Sequence, residues 1–412
     1  MKKGTLLLVM AVLAAGSIFA GGGAQSSGAK VVNLWCWDET IRADYETLIK
    51  EFEQANPGIS VNLLITPWAD YWTKLQTALP TGTGPDVFWL NHPNAVSYLP
   101  TGLVKDLEPW AEDIHFENFA PNFYEPFTYQ GKRYAVPFMW DDIVLFYNKA
   151  AFDKAGVAYP SAAWTWDDYL AAAQKLTIRS GNQVAQYGTI ATASFQSGVG
   201  PFIYQNGGVI FNADRTKATL NTPEIREAVQ FNMDLIYRHR VAPPIEEVSD
   251  SAADALFQSG VVAMMPALSI RLGFFGDVLG KDLNVAPLPR RKAQGTVFHN
   301  IAYAVSNKTA NPEEVRKFIA FMSSRRHAEV TANTFAPCYN GMTDVYFKNY
   351  SWVDTPVVSA SINYGHPLPI ASRNAGAVWT EMEDGMSKIF SSGNIGSQLA
   401  ELEAKINASI AK

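Results

Sequence analysis

The chain has 412 residues, 48% of them hydrophobic and 17% charged, a globular composition long enough for two domains with their own cores. A formal net charge of -6, with no basic run beyond the N-terminus, excludes a protein that binds phosphate backbones, so no nucleic-acid partner is expected. Cys36 and Cys338 are the only cysteines, which excludes a disulfide scaffold and a four-cysteine metal site and leaves either one bridge or two separately buried thiols.

Lys2 and Lys3 precede an apolar run over residues 6–15 and then small residues up to Ala20. This order is that of a secretory signal peptide, and the run is shorter than the roughly 20 apolar residues of a membrane anchor. Residues 1–20 are therefore expected to be removed on export. Residues 21–29, rich in Gly and Ser, form a flexible tether with too little apolar surface to fold. No cysteine lies near the cut to carry a lipid, so the expected location is the periplasm, in soluble form.

The apolar run 31–37 reads as a buried strand and is followed by a helix carrying Tyr45, Leu48, Ile49 and Phe52 at helical spacing, stopped by Asn56-Pro57-Gly58. A second strand at 59–65, a helix at 71–79 and a strand at 86–90 follow. Such alternation predicts an α/β fold with a mainly parallel sheet, whose ligands sit beyond the carboxyl ends of the strands. The pattern resumes at Ile143, with helices at 166–176, 223–237 and 252–258 and a strand at 261–265. Pro287, Pro289 and Gly295 break it around Arg290-Arg291-Lys292, which marks a crossing between domains. A helix is expected over 312–333, capped by Asn311, and a helical tail over 379–410 with a break at Ser391-Ser392-Gly393-Asn394.

Several phrases in this order resemble the extracellular solute-binding proteins of carbohydrate ABC importers, the group that includes maltose-binding protein. They are Leu34-Trp35-Cys36-Trp37, Tyr71-Trp72-Thr73-Lys74-Leu75-Gln76-Thr77, Gly84-Pro85-Asp86-Val87-Phe88, Tyr134-Ala135-Val136-Pro137, Phe146-Tyr147-Asn148-Lys149, Gln205-Asn206-Gly207-Gly208 and Gly260-Val261-Val262-Ala263-Met264-Met265. Each is weak alone; the series is specific. Two departures are the missing lipid-attachment cysteine and His299-Asn300, where many relatives carry a glycine pair.

The resemblance implies a two-lobe periplasmic-binding-protein fold of the type II kind, with the ligand in a cleft between lobes joined by crossing strands. The N-terminal lobe would comprise residues 30–141 and 295–347, and the C-terminal lobe 142–294 and 348–412, hinged near Asp142, Arg290 and Lys348. The implied function is capture of a mono- or short oligosaccharide by a monomer and its delivery to the permease subunits of an ABC transporter, with no cofactor. A sensory, receptor-presenting role would need the same pocket.

A sugar presents hydroxyls at its edge and apolar C–H faces, so its site needs carboxylates or amides beside aromatic planes. Trp37 with Asp38 and Glu39 offers such a pairing, and the family pattern places contacts at Trp37 and Glu39; a plain helix cap is the competing reading. Asn91 and His92 stand where relatives have polar contacts, although Asn-His-Pro-Asn is also a turn sequence. Trp140 and Asp141 precede Tyr147 near the first crossing, where relatives place an acidic contact; a hinge salt bridge would also suit Asp141. Phe195 and Gln196, Arg271, His299 and Asn300, Trp379 and Trp68 complete the candidates. Asp38, Glu39 and Asp141 could also mimic the carboxylate pair of a glycosidase. No nucleophile elbow, zinc-protease helix or phosphate-binding glycine loop is present, so an enzyme is not expected.

Overall fold

The computed structural model describes residues 29–412 other than 182, 249 and 362; the expected signal peptide and nearly all of the tether lie outside the described residues. The chain opens with β1 (Lys30–Cys36), α1 (Arg42–Ala55), β2 (Ile59–Ile65), α2 (Trp68–Ala78), β3 (Val87–Asn91) and α3 (His92–Tyr98). β1 pairs in parallel with β2 on one side and β3 on the other, so the ends of β1 and β3 emerge on one rim. Asp86, from the Gly-Pro-Asp phrase, fixes that arrangement: its carboxylate accepts from Asn33 N at 2.8 Å and from Thr309 Oγ1 at 2.6 Å.

The central element is β4 (Ala135–Asn148), a single strand longer than the reading from Ile143 anticipated. The remaining major elements are α4 (Trp166–Leu176), α5 (Val199–Gln205), α6 (Pro223–Tyr237), α7 (Asp250–Gln258), β5 (Met264–Leu268), β6 (Leu283–Ala286), β7 (Thr296–Val305), α8 (Pro312–Met322), α9 (Arg325–Thr331), β8 (Gly365–Pro367), α10 (Ala375–Ser392) and α11 (Gln398–Ile410). The first half of β4 pairs with β7, which returns antiparallel beside β3. Its second half pairs antiparallel with β5 and β6. The expectation of a mainly parallel sheet therefore holds around β1 and for the short pairing of β7 with β8, and not along β4. One strand shared by two lobes must leave the first and enter the second in a single direction, so its partners return against it.

Alternation along β4 sorts the second lobe into two layers. Ile143, Leu145 and Tyr147 join a core with Trp166, Phe202 and Val378, whereas Val144 and Phe146 join another with Phe257 and Phe275. Each fully buried side chain of this size contributes about 1.5–3 kcal/mol. The Gln-Asn-Gly-Gly phrase serves this packing: Gln205 accepts from Trp166 Nε1 at 2.7 Å and donates to Gly295 O at 2.9 Å. The basic triplet at the end of the 287–295 connection is tied to α4 and α6 of the second lobe, Arg291 to Asp167 and Glu227 and Lys292 to Glu224.

The helix expected over 312–333 is two helices. Ser323-Ser324 divides it, because Ser324 caps α9 by accepting from His327 N. The tail breaks as read, with Gly393 in the left-handed region at φ 66° closing α10. Cys36 and Cys338 are both buried and unpaired. Among the described residues no helix is long and apolar enough to cross a membrane.

Candidate ligand-binding site

The rim where β1 and β3 end faces the N-terminal turn of α10, and between them lies a cavity of about 490 Å³. Helix α3 packs beside it against α10, with Val96 against the second lobe's core and Gly376 facing Ser97. The cavity thus draws on both halves of the chain.

One wall is aromatic. Trp37, just after β1, meets Trp68 and Trp72 on α2 with ring centroids 5.2 and 5.6 Å away, and its other contacts with Tyr71 and Trp89 anchor it in the core. Trp68 keeps 49% of its surface exposed although it belongs to this cluster, so its indole is available as a platform. Trp72 also lines the cavity and its indole N–H has no hydrogen-bond partner. The opposite wall carries Trp379 and Thr380 from α10, Leu268 at the end of β5, and Gln196.

The floor is the crossing itself. Asp141 on β4 lies opposite His299 on β7, and His299 Nδ1 is 3.2 Å from Asp141 Oδ1. Asn91 projects from the end of β3. Its Oδ1 caps α3 by accepting from Asn94, so the turn reading of this residue is seen, and Asn91 also lines the cavity.

Seven of the candidates read from the sequence come together here: Trp37, Trp68, Asn91, Asp141, Gln196, His299 and Trp379. The others are placed elsewhere, for definite reasons. On a strand, neighbours point to opposite faces, so of Trp140-Asp141 and His299-Asn300 only one member each reaches the cavity. Trp140 is buried against Phe123, and Asn300, opposite it, donates to Phe123 O. Asp38 is a cap, accepting from Thr40 N at 2.9 Å. Glu39 is exposed and held by Arg42, whose guanidinium keeps its carboxyl below the usual range. Phe195 is fully buried, with its N–H donating to Glu383. His92 is buried at the start of α3 on a neighbouring cavity with Arg215, and burial pushes its pKa down to about 3, so it is neutral. Arg271 lines a narrower pocket next to this one and pairs with Asp254 at 3.3 Å. Sequence reading missed Trp72, Asn94 and Thr380. The spacing of Trp68 and Trp72, one helical turn apart, was the available signal for Trp72.

The model of the family described as bacterial extracellular solute-binding protein matches residues 37–329. The chain belongs to that family. Among curated relatives of this solute-binding protein, an arabinooligosaccharide-binding protein of Bacillus subtilis is 25% identical over 342 residues, 78% of this chain and 76% of that one. An erythritol/L-threitol-binding protein of Mycolicibacterium smegmatis is 28% identical over 239 residues, 53% of this chain and 49% of that one. An ABC substrate-binding protein of Listeria monocytogenes, solved in complex with cycloalternan, superposes with a TM-score of 0.84 at 28% identity and covers 93% of this chain and 99% of its own. The two-lobe architecture of the solute-binding protein is shared with maltotriose-bound MalE of Bdellovibrio bacteriovorus, at a TM-score of 0.77 and 20% identity, covering 92% of this chain and 98% of that one.

Trp68 separates ligand stacking from folding within this site. Trp68→Ala should weaken ligand binding by about threefold to tenfold, the size of a lost aromatic contact, and leave the melting temperature nearly unchanged. Calorimetry and a melting curve on the same preparation check this.

Proposed function

We propose that the solute-binding protein captures a mono- or short oligosaccharide in the interlobe cavity and hands it to the permease subunits of an ABC importer, acting as a periplasmic monomer without catalysis. The observation that carries this reading is the pairing of indole planes, Trp37, Trp68, Trp72 and Trp379, with hydrogen-bonding groups at Asn91, Asp141 and Gln196 around one cavity. C–H faces of a sugar lie on the former and its hydroxyls on the latter. The relatives named for arabinooligosaccharide and erythritol, and the one bound to cycloalternan, support polyhydroxylated ligands as the class.

The hinge reading has the lobes meet near Asp142, Arg290 and Lys348, with residues 30–141 and 295–347 on one side. A ligand closes such a protein only by binding the closed form better, so contacts from both lobes are required. Among the described residues Asp141 is the one carboxylate lining this cavity, and Asp38 and Glu39 are engaged elsewhere. The three carboxylates read from the sequence as a possible glycosidase pair are therefore not brought together in this cavity.

A carbohydrate panel tests this by calorimetry, small-angle scattering and product analysis together. One ligand should bind one protein, reduce the radius of gyration and be recovered unaltered. Steady product release would refute the binder. A confirmed ligand that leaves the scattering curve unchanged would refute closure.

A further inference from the structure

The cavity continues, at Gln196 and Leu268, into a side pocket of about 80 Å³ that belongs to the second lobe alone. It has room for a few heavy atoms and not for a second ring. Its lining joins apolar side chains, among them Ala253, Met265 and Ala267, with polar ones, among them Thr192, Asp254 and Arg271. Asp254, nearly buried, pairs with the half-exposed Arg271 at 3.3 Å, placing an acceptor and a set of donors side by side. Thr192 has its hydroxyl buried with no hydrogen-bond partner. The wall behind it is close-packed: a Cβ on Gly198 would stand 2.2 Å from Thr192 Oγ1, so glycine is required there.

This lining suits one group in particular. A hydroxyl both donates and accepts, which matches a carboxylate beside a guanidinium and a free threonine hydroxyl. A methylene matches the apolar side chains. A carboxylate or phosphate would meet the Asp254 charge. We propose that this pocket receives the neutral hydroxymethyl arm of a hexopyranosyl unit whose ring lies in the main cavity, and so makes the protein prefer hexoses to the corresponding pentoses. The inference rests on the sugar reading and adds a selectivity to it.

Matched sugars test it: D-glucose with D-xylose, D-galactose with L-arabinose, and cellobiose with xylobiose differ only in hydroxymethyl arms. Calorimetry on the full chain should show at least one hexose form binding about tenfold or more tighter than its partner, the usual outcome when a site built for a hydroxyl meets an analogue without it. Thr192→Val and Arg271→Gln should each bring the pair to within about threefold by weakening the hexose and sparing the pentose. Arg271 is on the surface, so its variant retains the fold if Thr192→Val does not. Equal affinities in the unmodified protein, or a preference that survives both substitutions, would overturn the subsite. So would binding of some other carbohydrate with no member of any pair bound, which leaves the sugar reading intact. If no carbohydrate of any class binds, the sugar reading falls and the subsite with it.

Discussion

Replacing Asp141 by alanine is expected to weaken sugar binding by roughly tenfold to more than a hundredfold while the melting temperature stays near that of the unmodified protein. Asp141 is almost fully buried on the floor of the cavity, where the two crossing strands place it opposite His299. An ionised carboxylate only accepts hydrogen bonds, which suits a pair of adjacent sugar hydroxyls. Bonds to charged groups contribute about 1.5–3 kcal/mol each, and that range converts to the stated loss. The neighbouring imidazole, with Nδ1 at 3.2 Å, also gives Asp141 a structural partner. The two roles separate in Asp141→Asn, which keeps the shape and one acceptor. A ligand contact predicts that this variant binds weakly; a purely structural pair predicts altered stability with affinity retained. Calorimetry with melting curves on both variants decides, and unchanged affinity in both would remove Asp141 from the site.

The adjacent residue should govern how stability varies with pH. Asp142 is completely buried at the crossing, and neither carboxylate oxygen has a hydrogen-bond partner. Of the two nearby hydroxyls, that of Ser361 donates to Val358 O, and Ser269 Oγ receives the Asp142 N–H at 3.2 Å. Burial, reinforced by the Asp141 charge and offset in part by those hydroxyls, raises the pKa to about 7. In the unfolded chain it is about 4. Between these values the folded state binds more protons than the unfolded one, so stability falls as pH rises. The contribution is complete below about pH 4 and lost by about pH 7, with a span on the order of 4 kcal/mol. Asp142→Asn should abolish this dependence. Its melting temperature should match the unmodified protein at pH 4.5 and exceed it at pH 8. Parallel melting curves for the two proteins across that range would contradict a buried, proton-linked carboxylate at the crossing.

By itself the sequence determined the local elements and the family. Helices α4 and α6 fall at the residues their apolar period marks, since a 3.6-residue repeat with a capping Thr at each start, Thr165 and Thr222, is local information. Two of the phrases that carry the resemblance, Gly-Pro-Asp and Gln-Asn-Gly-Gly, hold strands and helices together around Asp86 and Gln205 and do not line the cavity. They report the architecture, which many ligands share. The aromatic load near β1 was also visible, because Trp37 stands just past a strand end, and the carboxylate near the crossing was visible from its spacing to Tyr147-Asn148-Lys149.

Tertiary structure alone decided which member of each candidate pair reaches the cavity. Trp140 or Asp141, and His299 or Asn300, are equivalent in the sequence until the register of β4 against β7 is known, and a shift of one residue would exchange them. Register depends on packing of both sheet faces, which is nonlocal. The same holds for the length of β4: its continuity from Ala135 to Asn148 comes from partners more than 100 residues away, β5 and β6 for one half and β7 for the other. That shared strand places Asp141 in the cavity and Asp142 in the core, so two adjacent, chemically identical side chains meet a cavity wall and a dry interior.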